Sequence, residues 1–220
     1  MVINNLKDFS LITDNIETIK KMAAQGDADA QNKLGVCYKF GLSDFPKSDQ
    51  EAAKCKVIFL DIDGVLNTKD WHSRMRKDTP RDEFGYAFNP VAVANLGHII
   101  EETGADIVIS SSWKFYGVPK LRKMWEIRNL PGAILDITPN TISDEILLDA
   151  NLDEMELGVC RGNEIKEWLS RHKGEVSNYV IIDDFDDLLP EQEDHAVLTD
   201  SLIGITEFDA MKAIMILNGR

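Results

Sequence analysis

The chain has 220 residues and a formal charge of −14, from 38 acidic against 24 Lys and Arg side chains. An apolar fraction of 44% supports a sizeable core and excludes a disordered chain. The acidity argues against a general binder of nucleic acid or anionic membrane, which is normally basic.

Three cysteines (Cys37, Cys55, Cys160) form no CxxC pair and are odd in number. That usage points to free thiols in a reducing compartment rather than to a disulfide framework or a zinc cluster. No run approaches the ~20 apolar residues of a membrane span, and residues 1–20 lack an apolar stretch followed by a small-residue cleavage site. A cytoplasmic location is the expectation, although export by a non-classical secretion route would leave no trace in such a test.

Residues 1–55 read as helical, with Ile16, Ile19, Met22 and Ala23 near a 3.6-residue period. The run Gly26-Asp27-Ala28-Asp29-Ala30-Gln31-Asn32-Lys33-Leu34-Gly35-Val36-Cys37-Tyr38 resembles one unit of the short tetratricopeptide-like repeats. A single unit cannot bury its apolar face alone. Two readings stand: a helical hairpin docked on the next domain, or a surface for a protein partner.

From Lys56 onward short apolar runs alternate with helical patterns. Residues 57–62 read as a buried strand running into carboxylates. Asn89-Pro90 predicts a helix start and Gly104 its end. Strands are expected at 105–110, 133–137, 179–184 and 195–199, and helices at 119–128 and 162–172. Thr206 and Asp209 predict the cap of a last helix to Leu217. This alternation predicts an α/β fold, a Rossmann-like parallel sheet sandwiched by helices over 56–220, behind the helical segment 1–55.

Such a sheet binds ligands outside the carboxyl ends of its strands. Three strands end there in Asp61/Asp63, Ser110/Ser111 and Asp183/Asp184. Paired acids at two strand ends repel one another unless a cation lies between them. An all-oxygen donor set points to a hard metal, Mg²⁺.

The run Val57-Ile58-Phe59-Leu60-Asp61-Ile62-Asp63-Gly64-Val65-Leu66-Asn67 resembles the first motif of the haloacid dehalogenase-like (HAD) phosphohydrolases. Ile107-Val108-Ile109-Ser110-Ser111-Ser112-Trp113 resembles their second motif and Ile181-Ile182-Asp183-Asp184 their fourth. Ser-Ser-Ser-Trp and Arg161-Gly162-x-Glu164-Ile165-x-x-Trp168-Leu169 are similar to small HAD domains, some attached to RNA-repair enzymes. The resemblance implies that Asp61 is the nucleophile, forming an aspartyl-phosphate, and that Asp63 is the general acid and base. An Asp at this second position favours a phosphatase over a carbon–halogen hydrolase, because halide leaves without a proton.

It further implies Mg²⁺ held by Asp61, the Asp63 carbonyl, and Asp183 or Asp184. Ser110, or else Ser111, would bind a phosphate oxygen. The family's third motif is usually Lys; here Arg161 stands in its place at a helix start, and Lys114 competes with it as the phosphate-neutralising residue. Ser112 and Trp113 are assigned to packing and to the helix start. Asp187 is read as a support behind the metal ligands. His72 is weighed as a substrate contact against a plain surface residue.

The insertion 67–89 is too short for a folded cap and allows only a flap of loops or a hairpin. The resemblance therefore implies a capless, open site for a phosphorylated macromolecule. The flap carries Lys69, Arg74, Arg76, Lys77 and Arg81 against Asp70, Asp78, Asp82 and Glu83. The segment after the serines carries Lys114, Lys120, Arg122, Lys123 and Arg128 against Glu126 alone, which suggests a locally basic entrance. With a charge of −14, a phosphoprotein is favoured over a nucleic-acid end phosphate, and the aromatics Trp71, Phe84, Tyr86 and Phe88 admit phosphotyrosine. A Cys-dependent phosphatase is disfavoured, since no cysteine has Arg six residues on. An inactive HAD-fold module that binds proteins is the alternative of a different class.

Overall fold

Apolar side chains on both faces of a strand call for cover on both faces, and that is how the predicted strands assemble. The computed structural model describes residues 54–140 and 161–220. In chain order these form β1 (Cys55–Leu60), α1 (Lys69–Ser73), α2 (Pro90–Thr103), β2 (Asp106–Ile109) and a 3₁₀ turn at Ser112–Tyr116. There follow α3 (Gly117–Ile127), β3 (Ile134–Ile137), α4 (Arg161–Arg171), β4 (Val176–Asp183), a second 3₁₀ turn at Pro190–His195, β5 (Ala196–Leu198) and α5 (Glu207–Leu217). The helical reading of 1–55 falls on residues that, but for the last two, lie outside those described, as do Cys37 and Cys160.

The five strands form one parallel sheet in the order β3-β2-β1-β4-β5. Successive crossovers run outward from β1 to β2 and β3, then return to place β4 on the other side of β1. The order therefore reverses between β1 and β4, where a parallel sheet opens a crevice at its carboxyl edge. Ile58, Leu60, Ile107, Ile109, Val180 and Ile182 face a core closed by α2, α3 and α5. The alternate residues Val57, Phe59, Val108 and Ile181 pack on Ile165 and Trp168 of α4. Phe59 meets Trp168 edge-on at 5.4 Å.

Local chemistry sets the helix ends. The Asn89 side chain accepts the Val91 N–H, Pro90 occupies the first turn, and Gly104 closes α2 in the left-handed region at φ 64°. Thr206 and Asp209 form a reciprocal capping box on α5. Two boundaries differ from expectation. β4 begins at Val176, because backbone groups alone pair Val176 with Cys55 and Asn178 with Lys56, the register shifting across Ser177. Ahead of α3, the Ser111 side chain accepts the Trp113 N–H and starts the 3₁₀ turn. The insertion 67–89 is α1 followed by turns, with an isolated bridge between Asp82 and Gly85. Among the described residues, no helix is long and apolar enough to cross a membrane.

Candidate active site

Parallel pairing places the ends of β1 and β4 side by side, and the acids that follow them converge. Asp61 donates its N–H to the Ile182 carbonyl at 3.0 Å, and its side chain is buried. Asp183 closes β4 and is 2% exposed. Asp61, Asp183 and Asp184 each offer an oxygen, and these oxygens lie within 4.8 Å of one another. Burial and the neighbouring Asp183 raise the Asp61 pKa to about 7. Burial, with a smaller contribution from Asp184, raises Asp183 to about 6. Three converging carboxylate oxygens fit a small hard cation such as Mg²⁺, which would relieve the opposed ionisation of Asp61 and Asp183.

Gly64 makes room for this cluster. Its φ is 78°, and a Cβ there would collide with the Asp184 carboxylate. Both Asp183 and Asp184 belong to the cluster, the first buried and the second partly exposed.

The two cations proposed for the site have different partners. Arg161, at the start of α4, reaches Asp61 Oδ1 through Nη1 and Asp183 Oδ2 through Nε, both at 3.4 Å. Its Nη1 also donates to the Ser110 carbonyl. Lys114 instead forms a buried pair with Glu164 at 2.5 Å and donates to the Pro139 carbonyl. Glu164 lies one helical turn past Arg161, so α4 presents the arginine to the carboxylates and the glutamate to the lysine. Asp187 accepts the Arg161 N–H at 2.9 Å, which anchors the first turn of α4.

The serines also divide. Ser111 hydrogen-bonds Asp61 while capping the 3₁₀ turn. Ser110 Oγ is buried and has no hydrogen-bond partner among the described residues. A buried hydroxyl left unpaired is costly, so a phosphate oxygen there would satisfy it.

Asp63 projects from the rim, exposed to solvent. Asn67 Nδ2 donates to its Oδ1 at 2.5 Å and Trp113 Nε1 to its Oδ2 at 2.8 Å. The Trp113 ring packs and its backbone N–H enters the 3₁₀ turn, as expected, and its indole N–H in addition holds a predicted site residue. Trp113 lies two residues past the serine pair, yet nothing in that spacing reports where an indole N–H points.

The basic residues near the entrance are extensively engaged. Arg74 pairs with Asp70, Lys123 with Glu83, and Arg128 with Asp82, while Arg122 donates to the Ile134 and Leu135 carbonyls. Acids within the same insertion thus offset much of the basicity that the local composition suggests. The aromatics pack on one another or on neighbours: Phe88 on Trp113, Phe84 on Tyr116, and Tyr86 edge-on to His72.

Comparison with known proteins bears directly on this arrangement. The family model described as the HAD domain in Swiss Army Knife RNA repair proteins matches residues 57–210, from β1 into α5. No curated protein matches the chain. The matched span contains the sheet but for the first two residues of β1, together with all of the convergent carboxylates, and such a domain supports an enzyme of the hydrolase or phosphatase type. The chain belongs to the HAD family, in the group found in RNA repair proteins.

Proposed function

We propose that the protein is a Mg²⁺-dependent phosphomonoesterase that works through an aspartyl-phosphate on Asp61. The observation that carries this reading is the convergence of Asp61, Asp183 and Asp184 with Arg161 at the β1/β4 crevice of a HAD domain. Asp61, the Asp63 carbonyl and Asp183 or Asp184 would hold the metal, which supplies positive charge to the carboxylates and to the phosphate.

In the first displacement an Asp61 carboxylate oxygen bonds to phosphorus as the ester P–O bond breaks, and Asp63 gives its proton to the departing oxygen. In the second, Asp63 takes a proton from a water whose oxygen bonds to phosphorus, and the Asp61 carboxylate leaves. Arg161 and Ser110 orient the phosphate oxygens, one by a charged fork and the other by its unpaired hydroxyl. Lys114 shapes the neighbouring wall through Glu164.

The substrate in this reading is a phosphorylated macromolecule, with a protein side chain favoured by the charge of −14 and by the pairing of the basic residues near the entrance. A polynucleotide end is the second reading, favoured by the RNA-repair context of the family model. Residues 1–55 would then serve a protein partner, and the thiol usage suits the cytoplasm.

The test is hydrolysis of an aryl phosphate with Mg²⁺ by wild type and by Asp61→Asn. Activity that survives the substitution, or a wild type inactive with Mg²⁺, overturns the reading. A panel of phosphopeptides against 3′- and 5′-phosphorylated oligonucleotides then chooses between the two substrates.

A further inference from the structure

We propose that Trp113 and Asn67 are positioning residues for Asp63, and that the insertion 67–89 acts through Trp113 as a buttress. The inference rests on the phosphatase reading above.

A general acid must stay within hydrogen-bonding reach of the oxygen it protonates, and small misplacements are costly in rate. An exposed aspartate with no partners would sample several rotamers. Asp63 is exposed, yet each of its oxygens has its own donor, Asn67 Nδ2 on one and Trp113 Nε1 on the other. A carboxylate oxygen has two lone pairs, so one donor apiece leaves capacity facing the substrate. The indole N–H only donates, so it holds the carboxylate without competing for the proton in transit.

Both donors are themselves held. The Asn67 N–H bonds the Ile62 carbonyl at 2.8 Å, and the Asn67 carbonyl accepts the Gly64 N–H at 2.9 Å. This closes a tight loop around Asp63. The Trp113 ring lies against Phe88 at 5.7 Å and Tyr116 at 5.7 Å. On Phe88 sits the Arg128 guanidinium, 4.4 Å from the ring centroid. Asp82 grips that guanidinium at 2.7 and 2.9 Å. Asp82 and Phe88 both come from the insertion, so a segment too short to be a lid orients the acid–base group from behind.

The experiment compares wild type, Trp113→Phe and Asn67→Ala on two substrates with Mg²⁺, an alkyl phosphate and 4-nitrophenyl phosphate. The alkoxide must be protonated to leave, whereas nitrophenolate departs with little help. Phe keeps an aromatic ring in the packing, though a smaller one, and removes the donor, so the ratio between the two esters is the readout.

Trp113→Phe should lower kcat/KM on the alkyl ester by about 10- to 100-fold, at least about tenfold more than on the nitrophenyl ester. The slowed second displacement should give a burst of nitrophenol. Asn67→Ala should show the same imbalance. Equal losses on both esters, or none on either, overturn the positioning role while leaving the phosphatase reading intact. A wild type that hydrolyses neither ester overturns both.

Discussion

The crevice between β1 and β4 and the rim beyond it hold the two aspartates of one short motif under opposite conditions. Asp61 in the crevice is buried beside another carboxylate, and its ionisation is opposed even with Arg161 alongside. Asp63, two residues on, stands in solvent with a donor on each oxygen. The first arrangement suits a group that must meet a cation and a phosphate; the second suits one that must exchange protons while keeping its direction. Burial stores electrostatic cost in the crevice, whereas hydrogen bonding sets orientation at the rim.

The largest effect that tests this contrast is on turnover. Asp61→Asn should reduce kcat by about 10⁴-fold or more, yet raise the thermal midpoint of the metal-free protein at pH 8, because a buried like charge is removed. Asp63→Asn should lower kcat by about 10²- to 10⁴-fold with little change in midpoint. Similar midpoint changes in both, measured by calorimetry in EDTA, would erase the distinction between crevice and rim.

Next in size is the buried pair on the crevice wall. Lys114→Met leaves Glu164 buried without its partner and should cost about 3–5 kcal/mol in denaturant unfolding. Replacing both by apolar residues should recover most of that loss. A Lys114→Met protein of wild-type stability would show that the pair does not hold the wall.

A smaller effect depends on pH. Asp61 and Asp183 have folded pKa values of about 7 and about 6, above the ordinary 3.8. From about pH 4 to pH 7 the folded protein therefore binds more protons than the unfolded chain. The metal-free protein should lose stability as pH rises through that window, and added Mg²⁺ should raise the midpoint more at pH 8 than at pH 5. A midpoint shift independent of pH would separate the metal from these carboxylates.

The smallest effect belongs to the outer insertion. Charge reversal at Arg74, Arg76 and Lys77 should raise KM and weaken its salt dependence, by only a few-fold because Arg74 already pairs with Asp70. No change in either quantity would remove these residues from substrate attraction.

Strand and helix order was legible because it follows from local pattern: apolar runs ending in acids, Asn89-Pro90 opening α2, Thr206 and Asp209 capping α5. The convergence of the acids was legible as well, since parallel strands share one carboxyl edge. The partners of the cations were not. Arg161 and Lys114 are chemically similar candidates in sequence, and only the placement of α4 brings Arg161 to Asp61 and Glu164 to Lys114. The expected basic entrance likewise depended on counting charges, whereas Asp82 and Arg128 meet across 46 positions of chain.

What the sequence by itself determined was the parallel sheet, its acidic edge and the residue types able to perform phosphoryl chemistry there. Periodicity, caps and strand-end residues are short-range signals, and the sheet's parallel geometry carries them to one place. Tertiary structure alone decided that Trp113 reaches Asp63 across 50 positions of chain and that the insertion supports the indole. The physical reason is that a side-chain hydrogen bond depends on ångström-scale placement, which packing between distant segments sets and residue spacing does not record.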